Sequence, residues 1–224
     1  MPKYTGGASL GLRERKKQRT RATIVDVAAR LCVEQGYEKT TVDQIAAEAE
    51  VSPRTFSRYF PNKEAVIWAM VEDAAELIAE ALGRQPFDIT EHEAMVRAHV
   101  EVFRAAEQDV KPSVSFDRVR GMLLIVNSSP TLGLAAFEFR PEGPTRSVID
   151  AMARRMGVDV EHPAIRVLFD TWAVLMASAL SDPGGDPGGP AAVSDRIEVT
   201  YAIFSRLWLP WRTPAQPAAG EPEH

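Results

Sequence analysis

Residues 51–64 read VSPRTFSRYFPNKE. Ser52 followed by Pro53 is a helix start, because a serine hydroxyl can accept an orphan N–H and proline suits the first helical position. Phe56 and Phe60 are four apart and therefore share one face of that helix. Arg54, Thr55, Ser57 and Arg58 offer polar side chains around the rest. A second start signal, Pro61-Asn62, follows at once. The segment is a helix of about two turns, anchored by two aromatic rings and otherwise covered with hydrogen-bond donors.

Upstream, Thr41-Val42-Asp43-Gln44 has the capping-box pattern, with Gln44 three residues after Thr41. The short helix it opens places Val42, Ile45, Ala46 and Ala49 on one face. Two short helices joined by a turn of three or four residues form a helix-turn-helix, whose second helix can enter a DNA major groove. Before it, Ile24, Val27, Ala28 and Leu31 follow the i, i+3, i+4, i+7 pattern, and Gly36 is a suitable C-cap. After it, Asn62 can cap a helix over 62–82 that carries Val66, Ala69, Met70, Ala74, Leu77, Ile78 and Ala81 along one side. Gly83 and Pro86 end that helix.

Charge is divided along the chain. Residues 1–63 hold 12 Lys/Arg against 7 Asp/Glu, a balance of +5, and the remainder holds 14 against 24, a balance of −10. A basic head on an acidic body suits a protein whose head meets nucleic acid. Residues 1–21 hold seven basic residues and one acidic one and read as a flexible basic arm. Arg13, Arg15, Lys16, Lys17 and Arg19 lie in it. Helix N-termini favour phosphate, which adds Thr41 and Lys63 to the candidate contacts.

Residues 22–71, from Ala22 through Tyr37, Thr41, Ile45, Ser52, Tyr59 and Phe60 to Val71, resemble the DNA-binding domain of TetR-family transcriptional regulators. The Gly36-Tyr37 junction, the Thr40-Thr41 start and Tyr59-Phe60 before Asn62-Lys63-Glu64 carry the likeness. It implies a homodimer on a roughly palindromic operator, most often a repressor, released when a small molecule occupies the C-terminal domain. By position it implies that Pro53, Arg54 and Thr55 approach bases, and that Thr41, Ser52, Tyr59 and Lys63 hold phosphates. Ser57 and Arg58 complete the recognition surface, and Arg19 and Arg21 are further phosphate candidates. Two positions depart from the pattern. Glu50 stands where glycine is common, and a left-handed backbone there costs a non-glycine residue roughly 1–2 kcal/mol. Ser57 stands where many members have tyrosine.

The pattern from 84 to 210 stays helical, with helices expected near 90–109, 113–128, 131–156, 163–181 and 194–209. Pro141, Gly143 and Pro144 should kink or split the 131–156 segment. Residues 182–190, DPGGDPGGP, form a turn-rich linker, and residues 211–224 are expected to be disordered. The fold class is all-α: a three-helix head, a connecting helix, and a helical body for ligand binding and dimerisation. An apolar pocket is expected among the body helices, lined by Phe103, Met122, Phe137, Phe139, Trp172 and Met176, with His99, Arg118 and Asn127 meeting a polar group. The 194–209 helix carries two apolar stripes, and a helix apolar on two sides is usually buried on two sides. Leu168, Leu175, Val199, Ile203 and Leu207 are the expected dimer contacts.

No cofactor, metal or catalytic motif is expected. No Gly-x-Ser-x-Gly elbow is read, the one such string, Gly7 to Gly11, falling in the N-terminal arm; a P-loop and His-Glu-x-x-His are missing from the sequence, and His92 and His99 lack further ligands. No run of 18 or more apolar residues predicts a membrane span, and the N-terminal residues lack the apolar core of a secretory signal. The single cysteine, Cys32, suits a reducing cytoplasm. The expected partners are double-stranded DNA, a second copy of the chain and an apolar small molecule. The competing reading is a helical dimer that uses the same surface for a protein partner, without sequence-specific DNA binding.

Overall fold

The computed structural model describes residues 11–108, 115–128, 139–180 and 188–208, the side chains of Asn127, Ser128 and Trp208 excepted. Among the described residues the regular structure is entirely helical. The head comprises α1 (Leu12–Gln35), α2 (Val42–Glu48) and α3 (Pro53–Tyr59), and α4 (Lys63–Gly83) leads out of it. The body comprises α5 (Glu91–Glu107), α6 (Phe116–Ser128), α7 (Arg146–Met156), α8 (Pro163–Leu180) and α9 (Pro190–Trp208).

The starts of these helices follow their caps. Thr41, Ser52, Asn62 and Thr90 each accept a backbone N–H at the head of α2, α3, α4 and α5, satisfying donors that would otherwise have no partner. Pro141, Gly143 and Pro144 lie in turns ahead of α7, the split expected of the 131–156 segment. The structure differs at the N-terminus. Helix α1 already begins at Leu12, so the basic residues 12–21 are helical rather than part of a flexible arm. Residues 1–10, the tail 211–224 and most of the 182–190 linker lie outside the described residues.

Head and body share one continuous core. Ile24, Val25, Ala28 and Ala29 of α1 are buried in one cluster with Ile45, Phe56 and Phe60 of the head and with Val119, Leu123 and Ile125 of α6. Helix α4 is buried on most of its circumference and packs on α1, α5, α6 and α7, while α9 packs on α5 and α8. Helix α8 is long and apolar enough, at 18 residues and a mean hydropathy of 1.3, to cross a membrane by length and composition alone. Its apolarity has another cause: Ile165, Leu168, Phe169, Trp172, Leu175, Met176, Ala179 and Leu180 are buried against neighbouring helices.

The contact between α1 and α6 is unusually close at one point. A Cβ placed on Gly121 would lie 3.0 Å from the Ala29 carbonyl oxygen and 3.2 Å from its Cα. Backbone atoms cannot rotate away as a side chain can, so any larger residue pushes the two helices apart. Gly121→Val is expected to destabilise the protein by about 1–3 kcal/mol, the usual cost of overpacking a tight core, as read from urea denaturation.

Candidate nucleic-acid interface and body cavity

The helix-turn-helix is built by local hydrogen bonds. Thr41 and Gln44 form the reciprocal capping box: the Gln44 N–H donates to Thr41 Oγ1 at 3.2 Å, and the Thr41 N–H donates to Gln44 Oε1 at 2.9 Å. Helix α2 ends in a left-handed turn at Glu50, φ 54°. There the Val51 N–H returns to the Ala46 carbonyl at 2.9 Å and the Glu50 N–H to Ala47 at 3.2 Å, the bonding pattern of a Schellman C-cap. Ser52 then opens α3, its Oγ accepting the Thr55 N–H at 3.1 Å and lying 2.9 Å from Thr55 Oγ1.

Phe56 and Phe60 are buried, with ring centroids 6.0 Å apart. This fixes which face of α3 turns outward. Pro53, Arg54, Ser57 and Arg58 are exposed, and Thr55 and Tyr59 are half-buried. Arg54 has no hydrogen bond or ion pair among the described residues, so its guanidinium is available. Ser57 Oγ donates to the Pro53 carbonyl at 3.0 Å, and the Arg58 guanidinium lies 5.4 Å from the Tyr59 ring centroid.

Two of the expected phosphate contacts are engaged inside the protein. Lys63 Nζ donates to the Tyr37 carbonyl at 2.8 Å and sits 3.9 Å from that ring's centroid. It braces the α1–α2 loop against α4. Arg21 lies against Asp73 at 3.4 Å and Glu72 at 3.7 Å, with its guanidinium 5.6 Å from the Phe60 ring. Arg19 is exposed, without a side-chain partner among the described residues. The helical start of α1 supplies other cations instead. Gly11, Arg13, Lys16, Lys17 and Thr20 form one wall of a groove whose opposite wall includes Ser52, Thr55, Arg58 and Tyr59. Arg13, Lys16, Lys17 and Thr20 have the spacing of one helical face. The sequence puts Arg13, Lys16 and Lys17 on a flexible arm; extending the α1 periodicity back through the charged residues places them on a helix face.

The body contains a small cavity of about 70 Å³. Helix α4 contributes Val71, Ala74, Ala75 and Ile78, and α6 contributes Met122, Leu123 and Val126. His99, Phe103, Trp172 and Met176 stand where the sequence placed them, on its walls, together with Thr145 and Phe169. Phe139 packs behind Phe169, centroids 5.9 Å apart, and is not among the lining residues. Phe137 and the side chain of Asn127 lie outside the described residues.

Arg118 does not meet the cavity either. It is 6% exposed. Its Nε donates to Asp26 at 2.5 Å, its Nη1 to Asp73 at 3.1 Å and its Nη2 to the Ala22 carbonyl at 3.3 Å. One arginine on α6 thus ties together α1 and α4, and a buried guanidinium with carboxylate partners is a junction rather than a ligand contact.

Leu168 and Leu175 are likewise buried within the chain rather than presented to a partner. The outer face of α8 belongs to Val167 and Val174, each one position earlier and about 100° around the helix, at 60% and 67% exposure. Val199, Ile203 and Leu207 are exposed on α9.

The model of the family described as bacterial regulatory proteins, tetR family, matches residues 24–70. The transcriptional regulator TcmR of Streptomyces glaucescens is 35% identical over 151 residues, 67% of this chain and 66% of that protein. This chain belongs to the TetR family. The match leaves about a third of TcmR's length uncovered. An uncharacterised regulator of Bacillus subtilis, YuxN, is 40% identical over 48 residues, 21% of this chain and 16% of YuxN. Among solved structures, SmeT in complex with triclosan aligns with a TM-score of 0.53 at 19% identity, covering 92% of this chain and 100% of SmeT. Thermus thermophilus FadR in complex with lauroyl-CoA aligns at 0.52 and 21%, covering 90% and 100%. At those identities the likeness establishes the shared all-helical fold.

Within this TetR-family fold, Glu50 is the described non-glycine residue with positive φ. Replacing it with glycine removes the left-handed penalty, partly offset by the freer unfolded chain. Glu50→Gly is expected to stabilise the protein by about 1 kcal/mol in thermal denaturation.

His99 generates a second expectation. Burial lowers its pKa from 6.5 to about 4, opposed in part by the bond to the Met95 carbonyl. The folded state therefore favours the neutral ring, and between pH 6.5 and 4 the unfolded chain binds the extra proton. The contribution is complete above pH 6.5 and is lost as pH falls toward 4, up to roughly 3 kcal/mol. His92 is shifted in the same direction by burial. Stability measured across this window should fall less steeply in His99→Phe than in the wild type.

Proposed function

We propose that this protein is a DNA-binding transcriptional repressor that acts as a homodimer on a palindromic operator and is released by an apolar small molecule. The observation that carries the reading is α3 itself: Phe56 and Phe60 lock one face into the core, and Arg54, Ser57 and Arg58 stand exposed on the other. An α-helix fits the major groove, where arginine bonds guanine bidentately. Pro53, Arg54 and Thr55 approach base edges. Thr41, Ser52, Tyr59 and the groove residues Arg13, Lys16 and Lys17 meet phosphate, with Arg19 at its margin.

The exposed apolar residues of α8 and α9 suit a two-fold interface, and Val167, Val174 and Phe204 already line one depression. A two-fold dimer would present its recognition helices to successive major grooves, about 34–36 Å apart. Release follows from connectivity. Helix α4 begins beside α3 and lines the cavity through Val71, Ala74, Ala75 and Ile78. Helix α6 lines it through Met122 and Leu123 and grips α1 through Arg118 and Gly121. A ligand that spreads α4 from α6 changes the recognition-helix spacing. The fold neighbours SmeT and FadR hold small molecules, triclosan and lauroyl-CoA, which supports a body of this kind as the ligand-binding part.

The test is selection of genomic fragments by the purified protein at moderate salt with excess competitor DNA. Enrichment of one palindromic site is expected. Arg54→Ala should weaken that complex by about 1–3 kcal/mol with an unchanged melting temperature. Ile203→Glu should yield monomers with weakened operator binding. Retention by Arg54→Ala equal to wild type would remove the base-reading role. Absence of a sequence-selective complex would favour the reading as a protein-interaction module.

A further inference from the structure

The cavity's polar groups restrict what it can hold. Its described walls are aliphatic, aromatic or methionine side chains, with two exceptions, His99 and Thr145. No lysine, arginine, aspartate or glutamate is among the described lining residues. Against these described walls a carboxylate or phosphate finds no cation and an ammonium no anion, so a charged group would lose its hydration without compensation from them.

The protonation of His99 follows from its surroundings. The residue is 8% exposed and lines the cavity. Its Nδ1 lies 2.8 Å from the Met95 carbonyl oxygen. A carbonyl only accepts, so Nδ1 carries the proton. The ring is held neutral by burial, which leaves Nε2 as a bare acceptor, and Nε2 has no partner among the described residues. Trp172 packs against the imidazole at a centroid distance of 4.5 Å and Phe103 meets it edge-on at 6.1 Å. This fixes the ring while leaving its acceptor unused. Thr145 stands at the N-cap position of α7 yet makes no side-chain capping bond, so a hydroxyl is also available on the wall.

We infer that the cavity binds a neutral, hydroxylated aromatic molecule whose hydroxyl donates to His99 Nε2. The aromatic body suits the faces of Trp172, Phe103 and Phe169 and the polarizable sulfurs of Met122 and Met176. A carboxylate-headed acyl chain fits this wall poorly, because the described lining offers it no cation and His99 Nε2 accepts rather than donates. This rests on the proposal that the body cavity is the effector site.

The test measures binding directly, without DNA, by titration calorimetry at neutral pH with three probes of one skeleton: 2-naphthol, its methyl ether and 2-naphthoate. The naphthol is expected to bind about tenfold more tightly than the ether, the value of one buried hydrogen bond, and naphthoate more weakly still. His99→Phe should close the gap between naphthol and ether, while His99→Gln, which retains an acceptor, should keep part of it. Equal affinity for naphthol and ether, a gap that survives in His99→Phe, preferred binding of naphthoate, or no binding of any probe would each overturn the inference. Operator binding with and without naphthol is a separate readout. A donor-dependent complex that leaves operator affinity unchanged would sustain this assignment and refute ligand-induced release.

Discussion

Ala29 and Gly121 bring the backbones of α1 and α6 into direct contact, and the arrangement of head and body depends on that approach. Val25, Ala28 and Ala29 on one helix and Val119, Leu123 and Ile125 on the other are buried in the same core. Arg118, one turn before Gly121, then reaches Asp26 and the Ala22 carbonyl on α1 and Asp73 on α4. Asp73 in turn faces Arg21, which covers the Phe60 ring. The recognition helix is therefore joined to the wall of the body cavity through a short chain of side chains, each either buried or paired. A close-packed junction of this kind moves as a unit or shifts between discrete packings, because it has little room to deform gradually.

The head was legible because its signals are local. A capping box, a Ser-Pro start and an Asn cap each act within three or four residues, so Thr41, Ser52 and Asn62 announce their helices without reference to anything distant. Phe56 and Phe60 were equally plain, since four-residue spacing on so short a helix leaves one buried face. The left-handed turn at Glu50 could be anticipated only through the family pattern, as the residue itself argues against it. What the sequence concealed was orientation in the body. On α8 nearly every position is apolar, so periodicity could not separate the buried Leu168 and Leu175 from the exposed Val167 and Val174. Arg118 was misassigned for a related reason: its partners Asp26 and Asp73 are 92 and 45 residues away, and charge pairing across such separations leaves no periodic trace.

The early part of α1 shows how composition can mislead. LRERKKQRTR has little to bury, and a run of like charge normally repels itself into disorder. Leucine, arginine, lysine and glutamine are nevertheless good helix formers, and the run continues without a break into the buried stripe that begins at Ile24. A helix already nucleated by a packed segment extends at low cost, because propagation adds a hydrogen bond for each residue ordered. The acidic residues Glu14 and Glu50 lie along the same groove as Arg13, Lys16 and Lys17, relieving part of the repulsion while no DNA is present.

That helical extension also changes what the cations can do. On a flexible arm, each lysine must be ordered separately when it meets phosphate, and the ordering entropy opposes binding. On α1, Arg13, Lys16 and Lys17 are already aligned on one face, across a groove from Ser52, Thr55 and Arg58. The backbone cost has been met by folding, so the electrostatic gain on contact is less diluted. Under the proposed function, the direction of α1 matters for DNA affinity as well as the spacing of α3. A motion at the Ala29–Gly121 contact would tilt the helix that bears these cations, so that the proposed phosphate and base contacts would change through the same junction.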